Sequence, residues 1–117
     1  SSALRRARQT YAERRAALVK ALAPCLQDPR AGVYVGGAEQ GLHLCLRLPG
    51  HVDDQALALR LGQHGLIVRP LSAYCLHRSD LKGLVIGYGY APLADIRRCG
   101  PLLAAAVKRE LGMPGRV

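Results

Sequence analysis

Alternating leucines in the middle of the chain constrain its fold more than any other feature. Leucine occupies positions 42, 44, 46 and 48, and His43, Cys45 and Arg47 lie between them. Successive side chains of a β-strand point to opposite faces, so this spacing predicts a strand with one apolar face. A Pro49–Gly50 pair follows and ends the strand.

The rest of the pattern adds helices and short strands on either side. Helices are predicted at residues 3–23, 53–63 and 93–111, and further short strands at residues 32–35, 66–69 and 83–90. The order helix, strand, strand, helix, strand, strand, helix includes a strand–helix–strand crossover, which places helices over one face of a sheet. We therefore expect a single α+β domain over residues 1–117. It should be a two-layer sandwich with a small, mostly antiparallel sheet and helices on one face.

Local residue chemistry predicts where several elements begin and end. Asp53 is suited to cap the second helix by accepting a hydrogen bond from a free backbone N–H. Pro92 suits the first position of the last helix, whereas Gly100 and Pro101 inside that helix predict a kink or a break. Glycines at positions 36, 37 and 41 predict a turn over residues 36–41.

Composition excludes several classes of protein. No stretch approaches the roughly 20 apolar residues of a membrane span, and the arginine-rich N-terminus lacks the apolar segment of a signal peptide. We therefore expect a soluble, cytoplasmic protein. The four cysteines are far apart and the four histidines form no closely spaced pair, so no metal site is expected.

The formal net charge is +9, and much of it lies on the first predicted helix. Residues 1–22 contain six arginines or lysines and one acid. Such a charge makes nucleic acid a candidate partner. The helix lacks the interleaved aromatic residues of single-strand binders, and no helix-turn-helix pair is evident. We therefore favour a solvated face or pairing with a neighbouring domain, with a free-standing nucleic-acid-binding module as an alternative.

No residue pattern predicts catalysis within the chain itself. The sequence contains neither a phosphate-binding glycine loop nor a nucleophile motif. The acid nearest to Ser72 is Asp80 in the same predicted loop, so the third member of a catalytic triad has no obvious place. Lys20 and Lys82 fall near the ends of predicted elements and should be exposed, unlike a Schiff-base lysine, which needs desolvation.

Four residues around the polar loop at 70–82 are candidates for ligand binding. Arg69 ends a predicted strand at this loop, and a guanidinium there could hold a carboxylate or phosphate through two parallel hydrogen bonds. The alternative is that Arg69 is an ordinary surface arginine at the end of a strand, which would give the same sequence pattern. Tyr74, Tyr88 and Tyr90 could line the same cleft, or they could fill the core.

Four segments resemble, in order, the aminotransferase-like part of MocR-type regulators, a subfamily of the GntR transcription regulators. They are residues 4–15 (LRRARQTYAERR), 41–44 (GLHL), 66–74 (LIVRPLSAY) and 83–88 (GLVIGY). The first is similar to the long helix after the family's large domain. The others are similar to its GLH strand entry, its V-x-P-L-S-x-Y segment and its LGY or LGF strand. The resemblance covers nearly the whole chain.

The resemblance implies that the chain is the C-terminal small domain of a fold-type-I aminotransferase-like protein. An upstream large domain would bind pyridoxal 5′-phosphate, with its Schiff-base lysine before Ser1, and a winged-helix domain would bind DNA. The parent protein would be a homodimer. This chain would help to enclose the cofactor and a small amine or amino-acid effector. It would hold no cofactor-binding or catalytic residue itself and would be inactive alone.

One departure from the family of ordinary aminotransferases concerns the ligand's carboxylate. Those enzymes carry an arginine for it in the last strand, and Val85 occupies that place here. The departure argues against ordinary transamination, although the small domain of a true aminotransferase stays an alternative. Arg69 is the nearest candidate to take over. We therefore predict an effector site formed by Arg69, Ser72, Tyr74 and Tyr88.

Overall fold

The computed structural model describes residues 2–40, 43–62, 66–74, 81–89 and 91–112, and the description below is confined to them. The helices are α1 (Ser2–Leu22), α2 (Asp54–Leu61) and α3 (Leu93–Glu110). The strands are β1 (Tyr34–Gln40), β2 (His43–Leu48), β3 (Ile67–Pro70) and β4 (Lys82–Gly87). Short 3₁₀ turns occur at Ala23–Cys25, Pro29–Ala31 and Leu71–Tyr74.

The four strands form one sheet in the order β1-β2-β4-β3, and every neighbouring pair is antiparallel. β2 and β3 therefore run in the same direction with β4 between them, and α2 connects them. This is the strand–helix–strand crossover that the sequence predicts. The predicted element order and the two-layer α+β fold are both confirmed.

One face of the sheet is buried beneath the helices. Leu44 and Leu46 of β2 are buried, and Leu84 and Ile86 lie opposite them in β4. They join a core to which the helices contribute Leu18, Leu22, Leu57, Leu61, Ile96, Leu103 and Val107. Because each buried leucine or isoleucine contributes about 1.5–3 kcal/mol, this face anchors the sheet to the helices. The predicted alternation is confirmed throughout β2, while position 42 lies outside the described residues.

The opposite face of the sheet is called the open face here. Its main side chains are Tyr34, Cys45, Arg47, Ile67, Arg69 and Val85. Tyr34 lies directly opposite Arg47 in the β1–β2 ladder. Val85 lies between its two registered partners, Cys45 and Arg69. Residues in register share a face, so any ligand-binding group carried by the sheet is to be sought here.

α1 and α3 pack side by side and run in the same direction. A Cβ atom placed on Gly100 of α3 would come within 2.7 Å of the Cβ atom of Ala21, so the helices touch closely at this point. Further along both segments, the Cys25 thiol donates a hydrogen bond to the carbonyl oxygen of Ala104, with Sγ 3.4 Å from it. The glycine in α3 is therefore explained by the close approach of α1.

α1 is also tied to the end of β4. The Arg14 guanidinium donates a hydrogen bond to the carbonyl oxygen of Gly89, which lies between β4 and α3. Because α1 and α3 are parallel, the residues before Arg14 extend past the start of α3.

No helix formed by the described residues combines the length and the apolar character that a bilayer crossing requires.

Two strand ends differ from the prediction by three residues or more. Residues 36–40, predicted as a turn, belong to β1, which pairs with β2 through an irregular register between Gly36 and Gln40. β1 is an edge strand with a partner on one side only, so its glycines are tolerated. β4 ends at Gly87, although the prediction extended the strand to position 90, which lies outside the described residues.

The sequence predicted a kink or a break in the last helix, and the break does not occur. α3 continues from Leu93 to Glu110 with Pro101 inside it. Proline removes one backbone hydrogen bond, but buried Ile96 and Leu103 on either side hold the helix against the core. The sequence predicted Pro92 at the first position of this helix, but Pro92 is the residue before the helix.

Candidate ligand-binding site

Arg69 lies on the open face, and its registered partner is Val85. The Cβ atoms of such a cross-strand pair are about 4.5–5.5 Å apart, so the two side chains are immediate neighbours. The Arg69 side chain is exposed, and no hydrogen bond or ion pair joins it to another residue in the described part of the chain. Its guanidinium is therefore available to an external carboxylate or phosphate.

A buried carboxylate holds the segment that follows Arg69. Asp54, the first residue of α2, is 0% exposed. Its Oδ2 accepts hydrogen bonds from the backbone N–H of Ser72 at 2.9 Å and of Gly83 at 3.1 Å, and its Oδ1 accepts one from the Ser72 hydroxyl at 2.5 Å. The negative charge lies at the N-terminus of a helix, where the dipole favours it. One side chain thus joins the start of α2, the Leu71–Tyr74 turn and the start of β4.

The acid that binds Ser72 is Asp54, which the sequence did not predict. Asp80, the nearest acid along the chain, lies outside the described residues. A signal was present, since α2 begins at two consecutive aspartates and only one can cap it. Asp53 is that cap, as predicted, because its Oδ1 accepts a hydrogen bond from the backbone N–H of Ala56 at 3.2 Å. Asp54, the second aspartate, does not cap the helix, and its side chain is buried in the protein.

The other three predicted residues have different surroundings. The hydroxyl of half-buried Ser72 is engaged with Asp54. Tyr74 ends the same turn and is 59% exposed, whereas Tyr88 is 3% exposed and belongs to the hydrophobic core. The structure therefore brings Arg69, Ser72 and Tyr74 to one end of β3 and does not bring Tyr88 to that surface.

The residues present do not fit a pyridoxal phosphate site. Lys20 is exposed, as predicted. Lys82 at the start of β4 was predicted to be exposed too but is half-buried, and Lys108 near the end of α3 is also half-buried. A Schiff-base lysine relies on desolvation to lower its pKa, and none of these three is buried to that degree. No step through this cofactor is therefore assigned to these residues. Nor do three histidines, cysteines or acids cluster as metal ligands in the described ranges.

A cleft of about 380 Å³ lies elsewhere, near the C-terminal end of α3. Its lining includes Asp28, Arg30, His51 and Lys108 and none of the four predicted site residues. The surface around Arg69 is thus distinct from this cleft and forms one side of a site at most. A ligand there would need a second wall to remove it from water.

Comparison with known proteins identifies the type of fold. The crystal structure of a multiple substrate aminotransferase from Thermococcus profundus matches with a TM-score of 0.70 and 26% sequence identity. The match covers 89% of this chain and 25% of that protein, so the chain spans about a quarter of its length. No protein-family model matches the chain, and no curated protein is similar enough in sequence to match. The chain therefore has an aminotransferase-like small-domain fold.

Proposed function

We propose that this chain is the small domain of a larger aminotransferase-like protein and closes over a small amine or amino-acid ligand. An upstream large domain would supply the second wall and hold pyridoxal 5′-phosphate, which supplies an electron sink for chemistry at the ligand's amino group. We further propose that the parent protein is a MocR-type transcription regulator, homodimeric, with a winged-helix domain that contacts DNA. This chain's role is to bind and orient the ligand.

The pairing of Arg69 with Val85 carries the proposal. The resemblance assigns the ligand's carboxylate to an arginine at the position of Val85. Arg69 is its cross-strand neighbour on the same face, so its guanidinium can reach the space that such an arginine would fill. The contacts of Asp54 with Ser72 fix the turn that follows, and exposed Tyr74 at its end would border the ligand. Buried Tyr88 would act only through the core beneath.

The substitution of valine for the usual arginine favours a ligand sensor over a transaminase. In a sensor, a ligand that binds the closed form more tightly shifts the population towards it and so biases DNA binding. A true aminotransferase is the alternative, and the match to the Thermococcus enzyme supports it. The upstream sequence discriminates between them, because only the regulator has a winged-helix domain.

Calorimetric titration of the full-length, cofactor-loaded protein with the twenty common amino acids and small amines tests the proposal. For the ligand that binds, Arg69→Ala should weaken the affinity roughly tenfold or more, since a charge-assisted hydrogen bond contributes about 1.5–3 kcal/mol. Arg97→Ala, which removes an exposed arginine from α3, is the matched control and should leave the affinity unchanged.

Each outcome of this titration has a definite meaning. Unchanged affinity in Arg69→Ala would remove Arg69 from the site. Ligand-dependent DNA binding without amino-group transfer selects the regulator, and transfer to a 2-oxo acid selects the enzyme. The isolated chain should show no transaminase activity. A Schiff-base absorbance that depends on one of its own lysines would contradict the proposal that the upstream large domain holds the cofactor.

A further inference from the structure

The cleft at the C-terminal ends of α1 and α3 lies apart from the surface around Arg69. Its volume is about 380 Å³, within the range of roughly 300–1,000 Å³ that small-molecule sites occupy. Three separate segments line it, namely the turns that follow α1, the residues that follow β2 and the end of α3. Pro24, Pro49 and Leu111 give these segments an apolar surface. The cleft can therefore hold the apolar part of a small molecule.

Lys108 brings a positive charge to this cleft, and no counter-ion accompanies it in the described ranges. Its side chain is half-buried, and no hydrogen bond or ion pair joins it to another described residue. Burial raises the pKa of the nearby Cys25 thiol to about 11, although the charge of Lys108 lowers it. The thiol is therefore neutral at pH 7 and is not the counter-ion. A partly desolvated ammonium group thus lines the cleft.

The two acids closest to Lys108 in the cleft wall and in the chain already have partners. Asp28 lines the cleft, but its Oδ1 accepts a hydrogen bond from the backbone N–H of Arg30 at 2.9 Å and lies 3.9 Å from the Arg30 Nε. Glu110 follows Lys108 by two positions, and its Oε2 lies 2.7 Å from Nη2 of Arg60. The charges of Asp28 and Arg30 offset each other. The described wall of the cleft therefore keeps the uncompensated charge of Lys108.

The negative end of the α3 dipole is the competing attraction for Lys108. Such a helix end favours a cation by roughly two- to fivefold in an equilibrium constant. A charge-assisted hydrogen bond to an anion contributes roughly tenfold or more, so an anion in the cleft is the stronger partner. Gln27 and His51 also line the cleft. The amide of glutamine and either protonation state of histidine keep at least one N–H donor, which adds to the attraction for an anion.

We propose that this cleft binds a small organic anion. Its carboxylate or phosphate group pairs with Lys108, and its apolar part lies against Pro24, Pro49 and Leu111. This site goes beyond the proposed function, because it shares no residue with the surface around Arg69 and needs no cofactor. A bound anion contacts the segments after α1 and β2 and the end of α3 together, so it stabilises the folded chain by mass action.

Calorimetric titration of the full-length protein with hexanoate, hexyl phosphate and neutral hexanamide tests this inference. At least one of the two anions should bind ten times or more tightly than the amide, and comparing them tells which head group the cleft prefers. Acetate and inorganic phosphate lack the apolar part and should bind at least tenfold more weakly than their hexyl counterparts, because each buried methylene contributes roughly fourfold.

Variants of two neighbouring cations locate the binding. Lys108→Met and Lys108→Gln should both lose the preference for the anion, whereas Lys108→Arg keeps the charge and should retain it. Arg109→Met is the matched control, because Arg109 is exposed and lies outside the lining of the cleft. In the unmodified protein and in Arg109→Met, the anion should also raise the thermal midpoint of unfolding, and it should not do so in Lys108→Met.

A carboxylate could instead bind at Arg69, so Arg69→Ala completes the set. This variant should bind hexanoate as tightly as the unmodified protein does. Equal affinities for anion and amide, a preference that survives Lys108→Met and Lys108→Gln, or a preference lost in Arg69→Ala would each overturn the inference. None of these results would remove the proposed function, which depends on the amine or amino-acid ligand at Arg69.

Discussion

Asp54 gives the sharpest test of how the site is held together. Replacing Asp54 with alanine removes the acceptor for three hydrogen bonds, two from the Ser72 backbone and hydroxyl and one from the Gly83 backbone. The Gly83 N–H is fully buried, and an unpaired buried donor costs about 1–3 kcal/mol. The two half-buried Ser72 donors add about 1 kcal/mol each. We expect a total loss of about 3–5 kcal/mol, a large fraction of the 5–15 kcal/mol typical of a domain.

The neighbouring aspartate supplies a matched control. Asp53→Ala removes an exposed cap and should cost about 0.5–2 kcal/mol, and Asp53→Asn should cost almost nothing, because asparagine caps as well as aspartate does. Asp54→Asn should fall between the extremes, at about 1–3 kcal/mol, because its carbonyl oxygen can still accept from the two N–H groups that share Oδ2, but without a charge.

Urea denaturation followed by circular dichroism at pH 7 measures these differences in the free energy of unfolding. We expect Asp54→Ala to be destabilised by at least about 1 kcal/mol more than Asp53→Ala, which is the smallest difference between the two expected ranges. If the two variants differ by less than about 1 kcal/mol, or if removing the buried charge stabilises the protein, desolvation of the carboxylate outweighs its hydrogen bonds. Asp54 would then not be the anchor of the turn.

Three further predictions also use urea denaturation, the last of them over a series of pH values. Gly100→Ala should destabilise by about 1–3 kcal/mol, because its methyl would overlap α1, whereas Gly62→Ala, with nothing within 4 Å, should change stability by less than about 1 kcal/mol; equal effects would contradict the close contact. Arg14→Ala should cost about 1.5–3 kcal/mol through its lost hydrogen bond, and Arg8→Ala, at an exposed position, should cost less than about 0.5 kcal/mol. Burial raises the pKa of the Cys25 thiol from 9.0 to about 11, so its contribution is intact below pH 9 and is lost as the pH rises to about 11. Cys25→Ala should lack that alkaline component, and identical pH profiles would show that the thiol is not desolvated.

The parts of the fold that the sequence predicted are those in which the local structure is set by residues that are close together in the chain. Alternating leucines define the faces of β2, and Asp53 caps α2 where a side-chain oxygen can meet a free N–H. The parts that were missed depend on distant partners. Residues 36–40 look like a turn until β2 pairs with them, and Pro101 looks like a break until the core holds α3.

The same distinction applies to the site. Arg69 could be singled out because an arginine before a proline at a strand end is visible in the sequence. Its relation to Val85 needed the β3–β4 register, which no local pattern contains. Asp54 was missed because its three donors come from residues 18 and 29 positions away. The guanidinium of Arg47 in β2 lies over the ring of Tyr34 in β1, a contact that likewise depends on a partner in a different strand.

The shared carboxylate of Asp54 has a mechanical consequence. It fastens α2, the turn after β3 and the first residues of β4 to a single point, so none of these can slide relative to the others without breaking a hydrogen bond. Arg69 is carried between two of these fixed segments. Any motion that brings Arg69 towards a ligand must therefore move the sheet and α2 together as a rigid body, with the hinge placed outside this unit.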